Sequence, residues 1–483
     1  MRHVAGVERG QRILFPASVD EYVSENSPVR FIDAYVERLD LVELGFAHAQ
    51  AKETGRPAYD PGDLLRLYLY GYVNRVRSSR ALEAETRRNV EVMWLMRNLR
   101  PDFKTIADFR AVNREALGAL FKQFVLFCRE LGLFGGELVA IDGSKFRASN
   151  SRERIFTAEK LADRLRRIQE QIGLYLAELD RNDEQEQEAA GDQLSAKELQ
   201  ARIGQLRERL AQYQALQQQL QEEGLTQIAL TDPDARLMPQ SHAQGGGQVV
   251  AYNVQTAVDA QYKLIAAYTV TTQTNDLQQL ANMATAAQAA LGVEQLEVVA
   301  DRGYYDGDEV AACEAAGIQA YVAKPANTSK SHAQGRFSKE QFHYDAATDC
   351  YHCPAGHWLP YRFTATQKGR RLRHYYTSHC KVCELRGQCT TVKAGPRQIT
   401  RLVNEPALER MAQRMAAQPE KFRLRKALVE HPFGTLKRPW NQGYLLTRGL
   451  GKVLGEIALS CFAYNLCRLI NIMGVPALLA ALA

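Results

Sequence analysis

The chain has 483 residues, of which 46% are hydrophobic and 24% are charged, values typical of a globular protein with two to four domains. The N-terminal sequence MRHVAGVERG lacks the apolar core of a signal peptide, and no run of about 18 uncharged apolar residues occurs. These features argue against secretion and membrane insertion, so we expect a cytoplasmic protein. Nine cysteines in such a compartment indicate metal binding rather than disulfides.

Positive charge is concentrated in the C-terminal half, although the net charge of the chain is only +6. Residues 362–452 contain 20 Lys and Arg against 5 Asp and Glu, a local excess of +15. A basic surface of this size suits a polyanion, most often DNA, and a solvated basic face without a partner is the alternative. The residues that we expect to contribute to DNA contact here are Arg423, Lys426 and Lys437.

The N-terminal part of the chain, from residue 28 to residue 130, is predicted to be helical. The segment that begins at Pro61, PGDLLRLYLYGYVNRV, places leucine and tyrosine near helical spacing, and a further helix is expected after Pro101. We therefore expect a helical N-terminal DNA-binding domain over residues 1–130. Its arginines either contact DNA phosphates or are ordinary surface charge: Arg75, Arg77, Arg80, Arg87 and Arg88.

The periodicity then changes from that of helices to that of strands. LVAIDGSKF (138–146) is a short apolar run with β-branched residues, which is typical of a buried strand. Asp259 and Ala260 are predicted to form a tight hairpin connection between the next two strands. The later strands are predicted over residues 249–260, 262–273, 296–304 and 318–325.

Helices are predicted between the later strands, over residues 276–291 with Asp276 as a candidate cap, and again before Gly317. With the segment around Glu430 as the last helix, the order of elements is βββαβαβα. That order is typical of a ribonuclease-H-like mixed sheet covered by helices. We therefore predict an α/β fold of this class over residues 131–483.

The first of two insertions into this order covers residues 157–224. Apolar residues at heptad spacing flank the polar stretch RNDEQEQEAAGDQ, which predicts an antiparallel helical hairpin. Residues 157–223 carry 14 acidic and 9 basic side chains, so DNA contact is not expected there. The hairpin is either an arm for packing or dimerisation or a purely structural excursion.

The second insertion, residues 326–405, contains a cluster of five cysteines. The cluster comprises Cys350, Cys353, Cys380, Cys383 and Cys389. The first four form two CxxC pairs separated by 26 residues, a spacing typical of the tetrahedral Zn²⁺ sites of zinc ribbons. We expect these four to bind a structural Zn²⁺ in a ribbon-like insertion. The fifth cysteine and three nearby histidines are spare candidates, and reduced thiols without metal are the alternative.

Three acidic residues stand where their carboxylates could converge at one end of the sheet. Asp142 and Asp301 each follow an apolar run, where burial is costly without a cation or hydrogen bonds. Glu430 lies on a predicted helix and is followed by an expected break at Pro432. Three such carboxylates can hold two Mg²⁺ or Mn²⁺ ions for phosphoryl transfer, because these ions prefer hard oxygen ligands. Taken alone, Asp142 or Asp301 is also explained as a turn residue that ends a strand, and Glu430 as a solvated helix residue.

Several segments, taken together, resemble the bacterial insertion-sequence DDE transposases. They are AIDGSKF, TDPDARL with YNVQTAVD, VVADRGYYD, VEHPFGTLKRPW, YDPGDLLRLYLYGYVNRVRSSRALE, the paired CxxC segment and ALSCFAYNLCRL. The resemblance spans nearly the whole chain. It implies a ribonuclease-H-like catalytic domain in which Asp142, Asp301 and Glu430 form the metal-binding catalytic triad.

Some members of that family carry a Tyr-x₂-Arg-x₃-Glu-x₆-Lys signature around the glutamate. Glu430 and Lys437 match it, whereas Lys426 stands at the arginine position and Arg423 at the tyrosine position. The tyrosine therefore has no counterpart here. Lys437 is expected to contact a DNA phosphate near the cleaved end. Trp440 either stacks on an unpaired base or belongs to the core.

The resemblance implies a Mg²⁺-dependent transposase that cleaves DNA and transfers the strand. It would bind the inverted-repeat ends and target DNA as a homodimer, in the cytoplasm and in association with the nucleoid. Two alternatives use the same residues. One is a catalytically decayed transposase that only binds DNA, and the other is a metal-dependent nuclease.

Overall fold

The N-terminal region consists of helices, as predicted. A computed structural model describes residues 18–50, 58–184, 196–240, 246–325, 335–367, 369–392 and 395–483. Ser27, Asp60 and Asp102 cap three of the helices by accepting backbone N–H groups of the first turn. The helices of this region are Pro28–Glu37, Pro61–Val73, Ser79–Arg88, Val90–Leu95, Phe103–Val112 and Arg114–Glu130.

These N-terminal helices share one hydrophobic core with the end of the chain. Helix Leu450–Met473 is buried along most of its length, and the rings of Phe124 and Phe462 contact each other with centroids 4.2 Å apart. A buried ion pair between Arg77 and Glu456, at 3.3 Å, adds a polar link. The boundary near residue 130 is therefore a change of secondary structure, with one core on both sides of it.

Helix Leu450–Met473 is also long and apolar enough to cross a membrane, judged by length and composition alone. However, 78% of its apolar window is buried inside the protein. Its first turn is held by the TDPDARL segment, because Asp232 accepts the Gly449 N–H at 3.0 Å and Asp234 accepts the Leu450 N–H at 2.7 Å. These contacts are those of a core helix.

The remaining described part of the chain is mixed α/β, as predicted. Further helices are Ala158–Glu184, Ala196–Glu222, Leu280–Leu291, Gly307–Ala315, Arg386–Cys389, Glu405–Ala417, Pro419–Lys437 and Val475–Leu482. The strands in chain order are β1 (Leu138–Arg147), β2 (Ile155–Thr157), β3 (Gln227–Ala229), β4 (Arg236–Pro239), β5 (Gln248–Asp259), β6 (Ile265–Thr271), β7 (Leu296–Ala300), β8 (Ile318–Val322), β9 (His343–Asp345), β10 (Cys350–His352), β11 (Trp358–Gln367), β12 (Arg370–Tyr375) and β13 (Ile399–Leu402).

The main sheet has β1 at its centre. This strand runs antiparallel to β5 on one side and parallel to β7 on the other, and β8 continues parallel to β7. Strands β4 and β6 pair antiparallel with the two halves of β5. Alternate residues of β1 and β7 point to opposite faces of the sheet. Ala140 and Val299 pack against Leu428 and Val429 of helix Pro419–Lys437. The residues on either side of Ala140 in β1 and of Val299 in β7 point to the opposite face, towards helix Leu280–Leu291.

Two local predictions in this sheet region were wrong. The connection between β5 and β6 spans residues 260–264 and is longer than a tight hairpin, and the Asp259 N–H donates to the Leu264 carbonyl across it. The Asp259 carboxylate accepts the N–H groups of Gly135 and Gly136. Helix Leu280–Leu291 begins after Gln279, four residues later than predicted.

The predicted break at Pro432 was also wrong. Helix Pro419–Lys437 continues through this proline to its end at Lys437. A proline inside a helix costs a hydrogen bond and a steric clash. The apolar contacts of the buried Leu428, Phe433 and Leu436 offset this cost.

The two insertions lie outside the main sheet. Strands β2 and β3 pair at the base of helices Ala158–Glu184 and Ala196–Glu222, which occupy the segment with heptad spacing. The turn predicted for RNDEQEQEAAGDQ lies largely outside the described residues. The second insertion forms an antiparallel five-stranded sheet in the order β13-β12-β11-β10-β9. The start of this insertion, residues 326–334, is also outside the described residues.

Candidate active site

Asp142 and Asp301 lie side by side where two neighbouring parallel strands end. Ile141 of β1 pairs with Ala300 of β7, so the next residue along each strand is one of the two aspartates. Adjacent strands lie about 4.8 Å apart, and Asp142 points to the same face as Ala140, which helix Pro419–Lys437 covers. The parallel pairing thus brings two of the three predicted acids together.

The environment of Asp142 disfavours its ionised form. Burial raises the pKa of Asp142 to about 7, and the negative charges of Asp301 and Asp276 add to the rise. The guanidinium of Arg425 and a hydrogen bond of 2.9 Å from the Gly143 N–H act in the opposite direction. A bound cation would stabilise the ionised form of a buried carboxyl that lies next to a second carboxylate.

Asp301 is held by the short turn that it begins. Its Oδ1 accepts the Gly303 N–H at 2.7 Å and caps the 3₁₀ turn Arg302–Tyr304. This hydrogen bond directs one oxygen towards the backbone and leaves the other available. Asp301 is therefore positioned by its own backbone rather than by a long-range contact.

Asp276 is a further acidic residue of this site, and the sequence indicated it only as a candidate helix cap. Its Oδ1 accepts hydrogen bonds of 2.6 Å from the side-chain amides of Asn253 and Gln255, and it lies 3.6 Å from Lys145 Nζ. A side chain at Gly143 would lie 2.7 Å from this oxygen and would overlap the Gln255 amide, so only glycine fits in AIDG. Buried Asn and Gln within the apolar strand β5 were the available signal, because buried amides require partners.

Lys145 and Tyr304 complete this buried polar layer. Burial lowers the pKa of Lys145, while Asp276, Asp142 and Asp301 act in the opposite direction. The Tyr304 hydroxyl donates to Gln255 Oε1, and burial raises the pKa of this tyrosine. The layer ties strands β1 and β5 to the turn after β7, and so it fixes the positions of the two aspartates.

Glu430 is not held in the same way. It lies on helix Pro419–Lys437 with 66% of its side chain exposed, and it forms a long ion pair of 4.0 Å with Lys426. In the described parts of the chain, no three His, Cys, Asp or Glu side chains are arranged to hold a metal ion as they stand. Glu430 therefore does not join Asp142 and Asp301 in one preformed cluster.

Lys437 lies seven residues after Glu430, on the same side of the helix. Its Nζ donates to Ser144 Oγ at 2.5 Å and to the Lys145 carbonyl at 2.8 Å, and it lies 4.7 Å from the centre of the Phe146 ring. Burial lowers the pKa of Lys437 to about 8. The Lys437 side chain is hydrogen-bonded to β1, whereas the sequence predicted that it contacts a DNA phosphate. These contacts fasten the last turn of the helix to β1.

The predicted DNA-binding arginines fall into two groups. Arg75, Arg80 and Arg423 are exposed. Arg77, by contrast, is only 7% exposed, and it donates to the Tyr444 and Asn441 carbonyls and pairs with Glu456. The prediction of an exposed Arg77 was wrong, because the core shared by both ends of the chain encloses it. Trp440 is also buried in that core.

A large open groove of about 1860 Å³ lies between the residues after β6 and the second insertion. Its charged lining is balanced, with six basic and six acidic side chains among the residues that border it. A groove whose positive and negative charges balance would not attract the phosphate backbone of DNA. The basic residues of the C-terminal half are partly neutralised in a similar way, since Arg401 pairs with Glu409 and Lys421 with Glu297.

The cysteines of the second insertion do not all lie together. Cys353, Cys380, Cys383 and Cys389 border one small cavity. Burial raises the pKa of Cys389, and the nearby Arg397 acts in the opposite direction. Cys350 is not among the residues that border this cavity, and its Sγ donates to the Thr348 carbonyl at 3.4 Å.

Two family models match the chain. Residues 17–112, which cover five of the N-terminal helices, match the model described as "Transposase domain (DUF772)". Residues 352–470, which include Glu430, match the model described as "Transposase DDE domain". No curated protein and no solved structure matches the chain.

These matches define the class of the protein. The two models lie on either side of the strands that carry Asp142 and Asp301, and both describe transposases. Together they support an insertion-sequence DDE transposase, the family that the motifs of the chain resemble. A transposase acts on DNA, so DNA is the partner that this family implies.

Proposed function

We propose that this protein cleaves the ends of an insertion sequence and joins them to target DNA at a site formed by Asp142, Asp301 and Glu430. The observation that carries the proposal is the pair of aspartates on neighbouring parallel strands, one of them buried and with a raised pKa. Perturbed carboxyls at the end of a sheet are typical of catalytic sites.

The strand arrangement supports a ribonuclease-H-like catalytic domain. Strands β6 and β5 pair antiparallel, β5 pairs antiparallel with β1, and β7 and β8 follow parallel to β1. The elements β1, β5, β6, β7 and β8, with the helices between and after them, follow one another along the chain in the predicted order βββαβαβα. In this arrangement β1 and β7 are adjacent although about 150 residues separate them in the chain. Helix Pro419–Lys437 then covers the face to which Asp142 points.

The donor set fits Mg²⁺ or Mn²⁺ in its chemistry. Asp142 and Asp301 supply hard oxygen ligands, and the repulsion that raises the Asp142 pKa would be relieved by a divalent cation. When bound, such ions activate the attacking oxygen and stabilise the leaving oxygen of a phosphoryl transfer. Glu430 would supply the third carboxylate, since its exposed pair with Lys426 is weak enough to be exchanged for another partner.

The other residues of the site act on the protein side of the reaction. Asp276 accepts hydrogen bonds from the amides of Asn253 and Gln255 and lies 3.6 Å from Lys145, and these contacts hold the end of β1 in place. Lys437 fixes the helix of Glu430 against β1 through Ser144 and the Lys145 carbonyl. We assign these residues to positioning, because Asp276 and Lys437 are hydrogen-bonded to other groups of the protein and Lys145 is paired with Asp276.

DNA recognition is proposed to involve residues outside this layer. Arg423 and Lys426 lie exposed on the helix that carries Glu430. Arg75 lies exposed in the turn after helix Pro61–Val73, and Arg80 lies exposed on helix Ser79–Arg88. These residues would contact phosphates of the inverted-repeat ends. Action on two ends implies a homodimer on DNA, and the nucleoid is the place where such a protein would work.

The direct test is to incubate the purified protein with the ends of its element and Mg²⁺ and to map every product at nucleotide resolution. We expect nicks at the element ends followed by joined products, both of them absent without a divalent ion. Binding of the ends without cleavage would identify a decayed transposase. Cleavage without joining would identify a nuclease, and either result would overturn the proposal.

A further inference from the structure

The second insertion has a small core for the sheet that it must stabilise. Its fully buried apolar side chains are few, and most of them are aromatic: Phe342, Tyr351, Leu359, Tyr375 and Ile399. A unit of this size normally needs an additional crosslink, such as a disulfide or a bound metal ion. All nine cysteines of the chain are free, so no disulfide supplies that crosslink.

Strand geometry separates the two cysteines of the first CxxC pair. Successive residues of a strand point to opposite faces, so positions 350 and 353, an odd number of residues apart, would face opposite sides. Tyr351 of β10 points into the small core, and Cys353, just after the strand, packs against the same core. Cys350 lies on the other side, beside the Thr348 carbonyl. The two thiols of this pair therefore do not converge.

Cys353 instead borders a cavity together with three cysteines from a later segment. Cys380 lies in the 3₁₀ turn Ser378–Lys381, Cys383 lies just after it, and Cys389 ends helix Arg386–Cys389. All four border one cavity of about 20 Å³. A space of this size holds a single ion or water molecule and excludes any organic ligand. Four thiols around such a space are the ligand set of a structural Zn²⁺.

Two contacts beside this cavity fit the charge of a thiolate site. The backbone N–H of His357 donates to Cys353 Sγ at 3.4 Å. The guanidinium of Arg397 borders the cavity, and its buried Nε has no hydrogen-bond partner among the described residues. A positive group and a backbone donor next to the sulfurs would offset the net negative charge of four thiolates around one divalent ion.

We propose that Cys353, Cys380, Cys383 and Cys389 bind one structural Zn²⁺ and that Cys350 takes no part in the site. The ion would fasten the segment 378–389 to the end of β10, and the four side chains would close onto it from their present positions around the cavity. This ligand set replaces Cys350, which the spacing of the sequence favoured, by Cys389. The proposal is independent of the catalytic function, because the insertion lies outside the main sheet.

The test is elemental analysis of the full-length protein purified without chelator, in wild type and in single serine variants. We expect one zinc per chain in wild type and in Cys350→Ser, and loss of zinc in Cys353→Ser and Cys389→Ser. Cys350→Ser is the matched control, because it removes a cysteine of the same insertion that lies outside the cavity. Zinc retained by Cys389→Ser but lost from Cys350→Ser would overturn the ligand set, and wild type without zinc would overturn the site.

A second measurement guards against variants that fail to fold. Cys389→His keeps a ligand at this position, so we expect it to bind Co²⁺ with an absorption spectrum altered from that of wild type by the loss of one thiolate. Cys350→Ser should give the wild-type Co²⁺ spectrum. An altered spectrum for Cys350→Ser, or an unaltered one for Cys389→His, would contradict the assignment.

Discussion

The carboxyl edge of the main sheet and the exposed side of helix Pro419–Lys437 hold their charged residues in different ways. At the sheet edge, strand pairing places Asp142 beside Asp301, and a buried layer around Asp276 fixes them. On the helix, Glu430 and Lys426 pair with each other at 4.0 Å and are largely exposed. Part of the proposed triad is therefore built into the fold, and the remaining acid is free to respond to metal and DNA.

The largest expected effect is on catalysis. Asp142→Ala, Asp301→Ala or Glu430→Ala should each lower end cleavage by at least about a thousandfold, because each removes a proposed ligand, while end binding is largely retained. Glu420→Ala, which changes an exposed acid on the same helix as Glu430, is the matched control and should cleave normally. Cleavage and binding are measured on the same labelled ends. Cleavage by a triad variant at the control rate would remove that residue from the triad.

The next effect concerns the buried and exposed arginines of the N-terminal region. Arg77→Ala should lower the free energy of unfolding by about 3–5 kcal/mol, because it removes the positive charge that pairs with the buried Glu456. Arg80→Ala should cost less than about 1 kcal/mol, since Arg80 is exposed and its guanidinium lies over the Phe103 ring. Denaturant unfolding of both variants gives the comparison. Equal small losses would place Arg77 on the surface.

A smaller effect concerns the dependence of stability on pH in the absence of metal. Burial raises the pKa of Asp142 from 3.8 to about 7, so between these values the folded protein keeps a proton that the unfolded chain releases. The free energy of unfolding should therefore fall as the pH rises across this window. Asp142→Asn should remove this contribution and stabilise the protein at pH 8 by on the order of 2 kcal/mol. Identical pH profiles for both proteins would show that Asp142 ionises as it does in water.

The smallest expected effect is on the salt dependence of DNA binding. Neutralising Arg423 and Lys426 together should reduce the slope of log affinity against log salt by about 2, one counterion for each lost phosphate contact. Lys437→Met should leave this slope unchanged, because Lys437 is bound to β1. A salt titration on cognate and scrambled ends measures both. A reduced slope for Lys437→Met alone would place the phosphate contact at the position that the sequence favoured.

The sequence predicted the elements better than it predicted their contacts. The apolar runs marked the starts of β1, β5, β7 and β8 to within one residue, because buried strands require continuous apolar residues, whereas the predicted ends of β7 and β8 lay four and three residues too late. The surroundings of Asp276 could not be foreseen, because the partners of its carboxylate come from a strand about 20 residues away and lie on one face only after folding. In the same way, the charge of Arg77 predicted that its side chain lies on the surface. Its partner Glu456, 379 residues away in the sequence, instead holds it in the core.

The spacing of the cysteines illustrates the same limit. A CxxC pair predicts a metal site only if its backbone forms a turn, and β10 places Cys350 in a strand instead. Helix Pro419–Lys437 is a further example, since packing carried it through a proline that normally ends a helix. Local patterns thus marked candidate residues for both sites, while long-range pairing decides which of those residues lie together.

The central claim is that Glu430, although exposed, completes a metal site with Asp142 and Asp301. It is tested most directly by end cleavage by Glu430→Cys in Mg²⁺ and in Mn²⁺. A thiolate is a poor ligand for Mg²⁺ and a better one for Mn²⁺, so we expect no cleavage in Mg²⁺ and restored cleavage in Mn²⁺, with no restoration for Glu430→Ala. Equal cleavage by Glu430→Cys in both ions, at the wild-type rate, would contradict the claim.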